Sequence, residues 1–242
     1  MKMSSRKAYR ISRLTAVFIG CFLLITSLPI VAFAMKNVEY FNIQGIRLNS
    51  KLDDVKNQVG FRGTEKASKD QFGNIVRYDI EKTSDGARLI LKISRDKFGI
   101  VNGYEIIKSK EEGKLALNFT GQKRLYRIDY MDQYRAYTTN SRKLYDLLIQ
   151  KYGDATIENI ETLQGEPRNI RACWGTTCNR FSPTTPALKA FIEFATGRLK
   201  LTLTDNRIFN KDWKLYKDAA SSARSRRLQP IKKGTNQDNV GF

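Results

Sequence analysis

Two stretches of the chain place apolar residues at the spacing of a short amphipathic helix. In NSKLDDVKNQVG the apolar residues recur at i, i+3 and i+7, as Leu52, Val55 and Val59. Ser50 and Asp53 form a candidate capping box before this stripe, and Gly60 stands where the helix would end. The stretch NSRKLYDLLIQKYG at 140–153 has the same capped pattern with a cleaner apolar stripe. The spacing predicts one helix in each stretch.

Strand-like runs follow each predicted helix. They lie at 75–80, 89–93, 100–107, 115–119, 125–130, 171–174, 188–194 and 199–204. The last run alternates strictly, so its leucines share one face, and Thr196-Gly197 would turn a hairpin before it. The run 188–194 also fits a helix with Pro186 at its first position, but its regular partner favours the hairpin. Residues 210–223 predict a terminal helix that packs on the sheet.

The order of these elements predicts an α+β protein with an antiparallel sheet. A capped helix precedes several strands twice, which suggests two similar modules, at 35–120 and 121–220. A period of this length indicates a duplication rather than a solenoid. Chance similarity is the alternative, because capping signals are short and common.

The first 34 residues have the pattern of an export signal. A basic segment without any acid precedes an apolar run from 14 to 31, and Ala32-Phe33-Ala34 offers the small residues of a cleavage site. Cleavage between Ala34 and Met35 would give a periplasmic or secreted protein. The alternatives are an uncleaved membrane anchor and a lipoprotein acylated at Cys21.

Composition narrows the chemistry that the chain can perform. It has 43 Lys and Arg against 24 Asp and Glu, a net charge of +19, and no histidine. A histidine-based triad, an imidazole base and a histidine metal ligand are therefore excluded. The phosphate-binding glycine motifs are also absent. We expect no cofactor, no bound metal and no nucleic-acid partner.

Cys173 and Cys178 are the cysteines left after removal of the signal. They would close a short loop, and in an oxidising compartment this predicts a structural disulfide. A redox-active pair is less favoured because four residues separate the thiols, and zinc would need two further ligands. Trp174 within this loop is either a partner anchor or a core residue. With Arg171 it is our candidate partner-binding residue.

Carboxylates in the stretch TIENIETLQGEP are candidate catalytic groups. Glu158, Glu161 and Glu166 lie there, and a cell-wall hydrolase would need two carboxylates of different pKa across a cleft. The polar composition favours a solvated loop instead. We therefore expect no enzymatic activity.

Residues 221–242 predict a basic, flexible tail. Its cations are Arg224, Arg226, Arg227, Lys232 and Lys233. Such a tail could make weak contact with an anionic membrane surface or glycan, at about 1 kcal/mol per well-placed charge. The alternative is a solvated tail that only aids solubility.

The segment IQGIRLNSKLDDV at 43–55 resembles the G-I-x-L-G-M-S-x-x-E-V opening of small bacterial envelope modules. These are the SmpA/OmlA outer-membrane-assembly lipoproteins and the β-lactamase-inhibitor-protein-like folds. The resemblance implies a helical element packed on an antiparallel sheet, in a module that acts by binding other proteins.

These patterns together predict an exported periplasmic or envelope-associated module that binds another envelope protein without catalysis. The alternatives are a carboxylate-based cell-wall-active hydrolase and a secreted factor that acts outside the cell.

Overall fold

A computed structural model of the chain describes residues 37–61, 66–80, 83, 85–111, 113–134, 141–178 and 185–228. At 141, 166, 223, 224 and 226–228 it describes the backbone alone. The predicted signal at 1–34 and the tail residues Lys232 and Lys233 lie outside this set. No helix in the described part is long and apolar enough to cross a membrane.

The structure is α+β, as predicted, with about 24% helix and 47% strand. A short 3-10 turn (Val38–Tyr40) and a small hairpin precede the first helix. The helices are α1 (Leu52–Val59), α2 (Ser141–Tyr152) and α3 (Asn206–Leu228). The strands are β1 (Asn42–Ile43), β2 (Ile46–Arg47), β3 (Lys66–Lys69), β4 (Ile75–Ile80), β5 (Arg88–Arg95), β6 (Val101–Ser109), β7 (Lys114–Thr120), β8 (Leu125–Gln133), β9 (Ile157–Leu163), β10 (Glu166–Trp174), β11 (Ala187–Glu193) and β12 (Arg198–Thr204).

Ten of these strands form one antiparallel sheet, in the order β3-β4-β5-β6-β7-β8-β12-β11-β10-β9. Strands β3 to β8 follow one another as a meander, and β9 to β12 form a second meander. The two meet where β8 pairs with β12, with Ile128 opposite Leu203. The predicted order of a helix before several strands thus occurs twice, yet the sheet continues through both halves. The two-module organisation stays a prediction.

Alternation along the strands divides the sheet into two faces. The inner face, which carries Leu117, Ile128 and Leu203, is buried in one cluster with the apolar stripes of α1 and α2. The outer face carries the intervening polar residues, such as Arg127 and Thr202. Near the ends of β7 and β8 it meets α3, where Asp212 accepts a 2.5 Å hydrogen bond from Thr120.

The ends of α1 show which capping signals the chain uses. Gly60 ends the helix in the left-handed conformation, at φ 82°, as predicted, and the N–H of Phe61 bonds back to Lys56. The predicted capping box is wrong, because the Ser50 hydroxyl donates to the Arg47 carbonyl and Lys51 occupies the N-cap position.

Besides the capping box, two sequence predictions are wrong. The stretch TIENIETLQGEP is not a solvated loop, because it forms β9 and turns into β10 at Gln164-Gly165, both with positive φ. Strand β3 was not predicted, since its four exposed residues carry no apolar signal. Residues 221–228 of the predicted tail belong to α3, which starts at Asn206 rather than at 210. The hairpin interpretation of 188–194 is confirmed.

We expect Ile128→Ala to lower the free energy of unfolding by about 2–5 kcal/mol, because it opens a cavity where the two meanders meet. Ile128 is fully buried, whereas its neighbour Met131 is 40% exposed. Met131→Ala should therefore change stability by no more than about 0.5 kcal/mol. Urea denaturation followed by circular dichroism measures both values, and equal effects would contradict this account of the junction.

Candidate binding groove

The Cys173–Cys178 disulfide is present, with 5.8 Å between the Cα atoms. It joins the end of β10 to the loop that follows. Gly175 within that loop has φ 132°, and a Cβ there would lie 2.7 Å from the carbonyl oxygen of Pro186. The N–H of Gly175 also donates to the Thr156 hydroxyl at 3.1 Å. The bridge and these contacts hold the loop against the sheet.

Trp174 is a core residue, so the prediction that it contacts a partner is not supported. It is 2% exposed, and its indole Nε1–H donates to the carbonyl of Gly153 at 2.7 Å. Its ring lies 5.9 Å from that of Tyr152, whose hydroxyl donates to the Asn42 carbonyl. Burial raises the pKa of Tyr152 to about 12. Trp174 therefore ties the disulfide loop to α2 and the first hairpin.

Arg171 lies on the opposite, outer face, where an open groove of about 650 Å³ runs across the second meander. Outward-facing residues of β8 to β12 form most of its lining, together with Ala172, Ala190 and the start of α3. The lining residues are Arg127, Ile157, Asn159, Arg171, Ala172, Cys173, Cys178, Lys189, Ala190, Phe191, Lys200, Thr202, Thr204 and Asn206. Four of them are cations and none is a carboxylate, so the described lining is basic.

Neighbouring side chains hold two of these cations in place. Arg127 forms two hydrogen bonds with Asp129, at 2.6 and 2.9 Å, and Asp129 also accepts from Thr202. Arg171 places its guanidinium 5.0 Å from the centre of the Phe191 ring and donates its Nε–H to Glu161 at 3.0 Å. The groove therefore presents pre-positioned guanidinium groups rather than freely moving charges.

Glu158 and Glu161 lie on opposite faces of β9, because they are three residues apart along the strand. Glu158 approaches Arg142 of α2, at 3.7 Å. Glu161 is held on the outer side by Asn169 and Arg171. The hydrogen bond from Asn169, together with that from Arg171, lowers the pKa of Glu161, which disfavours it as a proton donor.

A second cavity, of about 810 Å³, lies between the Val38–Tyr40 turn, the β7–β8 turn and α3. Its cations are offset by acids within the lining. Arg207, for example, bonds both Asp205 and Glu39, which raises the pKa of the guanidinium. This neutralised cavity is a weaker candidate for a charged ligand than the basic groove.

Among the described residues no group of three Cys, Asp or Glu side chains is arranged to hold a metal ion. The tail residues Arg224, Arg226 and Arg227 belong to α3, and their side chains are not among the described parts of the structure. Compared with known protein families, curated proteins and solved structures, the chain matches none of them.

Arg171, Cys173 and Cys178 were the groove residues that the sequence indicated, while Lys189 and Lys200 were missed. A usable signal was present in LKLTLT, because leucines on the inner face require Lys200 and Thr202 on the outer face.

We expect the pKa of Glu161 to lie below its usual value of 4.5 and to rise toward it in Asn169→Ala. The variant removes the largest stabilising contact of the carboxylate. Because the pKa of Glu161 is lower in the folded than in the unfolded protein, this contact stabilises the fold above pH 4.5. The stabilisation is lost as the pH falls through the pKa of the folded state. Carbon-detected NMR titration measures the pKa. Arg168→Ala should shift it less, and an equal shift would contradict the assignment.

We expect replacement of both Cys173 and Cys178 by Ser to lower the free energy of unfolding by about 2 kcal/mol, the chain-entropy value for so short a loop. Urea denaturation gives the difference. Reductant should bring the wild-type protein down to the level of the variant and leave the variant unchanged. A wild-type protein insensitive to reductant would contradict the prediction.

Proposed function

We propose that this chain is an exported, non-catalytic module that binds an acidic segment of another envelope protein in the basic groove. One observation carries the proposal: four cations line an open groove whose described lining contains no carboxylate, against two carboxylates beside it, Asp129 and Glu161, that pair with its arginines. Complementary charge speeds association and selects partners of opposite sign.

The form of the groove favours an extended polypeptide. It crosses neighbouring strands and is open to solvent, so a segment of chain can lie in it without an entrance having to open. Phe191 adds apolar surface between Arg171 and Lys200, and Ile157 adds it at the edge of the sheet. An acidic segment with an apolar residue would therefore satisfy both kinds of contact.

Separate observations support the two other parts of the proposal, that the protein is exported and that it is not catalytic. The Cys173–Cys178 bridge is of the kind that persists in an oxidising compartment. It supports a periplasmic or secreted location, whereas cleavage between Ala34 and Met35 is inferred from the sequence pattern at 1–34. The separation of Glu158 from Glu161 weakens the carboxylate hydrolase alternative, and the resemblance at 43–55 agrees with a binding module. Weak contact of the basic tail with an anionic membrane surface or glycan would add to retention at the envelope.

We expect Lys189→Glu combined with Lys200→Glu to weaken binding of a fluorescein-labelled oligoglutamate peptide at least about tenfold, since both substitutions place negative charge in the groove. Fluorescence anisotropy at fixed ionic strength measures the affinity. Lys214→Glu, on the exposed side of α3, is the control for charge reversal outside the groove and should have little effect.

Equal peptide affinity of the groove variant and the control would contradict the proposal. Stronger, groove-dependent binding to phosphatidylglycerol vesicles would favour a membrane ligand instead. Release of fragments from purified cell wall, abolished by Glu158→Gln or Glu161→Gln, would favour the hydrolase. In cells, a photo-crosslinker placed at Lys200 should capture an envelope protein through an acidic segment.

A further inference from the structure

Strand β9 is one edge of the ten-stranded sheet, and β3 is the other. Natural edge strands are commonly protected by lysine or proline. In β3, Lys66 and Lys69 provide this protection. The sequence of β9, IENIETL, contains neither lysine, arginine nor proline. Its two carboxylates, Glu158 and Glu161, pair with Arg142 and Arg171 of the same chain, so β9 is the less protected of the two edges of this sheet.

The hydrogen bonding of the neighbouring strands fixes which backbone groups of β9 face outward. The N–H of Phe194 in the turn after β11 donates to the carbonyl of Arg168 in β10, so even-numbered residues of β10 bond toward β11. Its odd-numbered residues then bond toward β9, where Asn159 pairs with Arg171. Consequently Glu158, Ile160 and Thr162 present their N–H and C=O groups away from the sheet.

The side chains of β9 show an unusual exposure at both ends. Ile157 is 43% exposed and Leu163 is 58% exposed, and both lie on the outer face. Asn159 and Glu161 lie between them on the same face. Exposed aliphatic residues at both ends of an edge strand are suited to meet apolar residues of an added strand.

We propose that β9 pairs with β9 of a second copy of this chain, antiparallel and with Ile160 on the twofold axis. This register places Ile157 opposite Leu163 of the second copy, twice by symmetry. It also places Asn159 opposite Glu161, and Glu158 opposite Thr162. Backbone hydrogen bonds form at the three outward-facing residues of each strand, and both exposed aliphatic side chains of each copy become covered.

The neighbouring registers are less favourable. Only even-numbered residues offer outward backbone groups, so in every possible register even-numbered residues face even-numbered residues. The two neighbouring registers therefore have Glu161 or Asn159 on the twofold axis instead of Ile160. The first puts Glu161 opposite its own copy, where like charges repel. The other puts Ile157 opposite Glu161 and leaves Leu163 without a partner. The sequence of β9 is thus self-complementary in one register, as a twofold interface requires.

The pairing also bears on the groove, although it does not depend on what the groove binds. Ile157 lines the groove at the edge of the sheet. In the dimer, Leu163 of the second copy lies against Ile157 and extends the apolar wall. The outer faces of the two copies join, so two basic grooves lie side by side on one continuous surface. The interface is small, so we expect a dimer that dissociates on dilution.

Thr162→Pro tests the backbone hydrogen bonds. The substitution removes an outward N–H that β10 does not use, and proline is tolerated at such an edge position. Sedimentation of the protein expressed from the full chain should show a mass that rises toward that of a dimer with concentration. We expect the variant to raise the dimer dissociation constant at least tenfold. Thr162→Val keeps the N–H and should retain the dimer.

A charge exchange tests the register without altering the backbone. Ile157→Glu and Leu163→Lys should each weaken the dimer. Combined in one chain they should restore it, because the introduced carboxylate of each copy would then face the introduced ammonium group of the other. A protein that stays monomeric, a dimer insensitive to Thr162→Pro, or a double variant without recovery would overturn the proposal. Oligomers that keep growing with concentration would indicate pairing with β3 and would also overturn it.

Discussion

A single row of apolar side chains on the inner face joins the two meanders into one sheet. Neighbours in this row are directly opposite one another on adjacent strands, and all but the first are buried. The row runs through Tyr78, Leu91, Ile106, Leu117, Ile128, Leu203, Leu188 and Trp174. Because side chains alternate along each strand, a one-residue slip at any pairing would expose a set of these residues. The register of the eight strands that carry this row, all but the two edge strands β3 and β9, therefore follows from it.

The basic groove is a consequence of the same constraint. With Ile128 fixed inward, Arg127 must point outward, and with Leu201 and Leu203 inward, Lys200 and Thr202 follow. The strands that build the core thus also fix the spacing of the cations. Asp129 and Glu161 then restrict the guanidinium groups. The groove needs no dedicated loop to position it, since its floor is the reverse side of the core.

The elements with strong alternation or capping could be predicted from the sequence, and those without could not. Both early helices were found because their apolar stripes end at glycines that adopt φ 82° and 84°. Strand β9 was missed because its apolar residues recur every third position, as 157, 160 and 163, which hides the alternation. The pairing of β8 with β12 brings together residues far apart in sequence, so no local pattern could indicate it. Of the groove, which depends on that pairing, the sequence indicated only Arg171 and the two cysteines.

The end of β10 shows how closely the core and the groove depend on each other. Cys173 and Trp174 are consecutive, so the disulfide lies on the groove side while the indole enters the core. The bond from the indole to Gly153 fixes the strand end, and the next residue must be glycine because Pro186 leaves no room for a Cβ. Because these contacts fix the end of β10, they also fix the position of the disulfide in the lining of the groove. The buried hydrogen bond of the Trp174 indole thus determines the position of the neighbouring Cys173 on the surface of the groove.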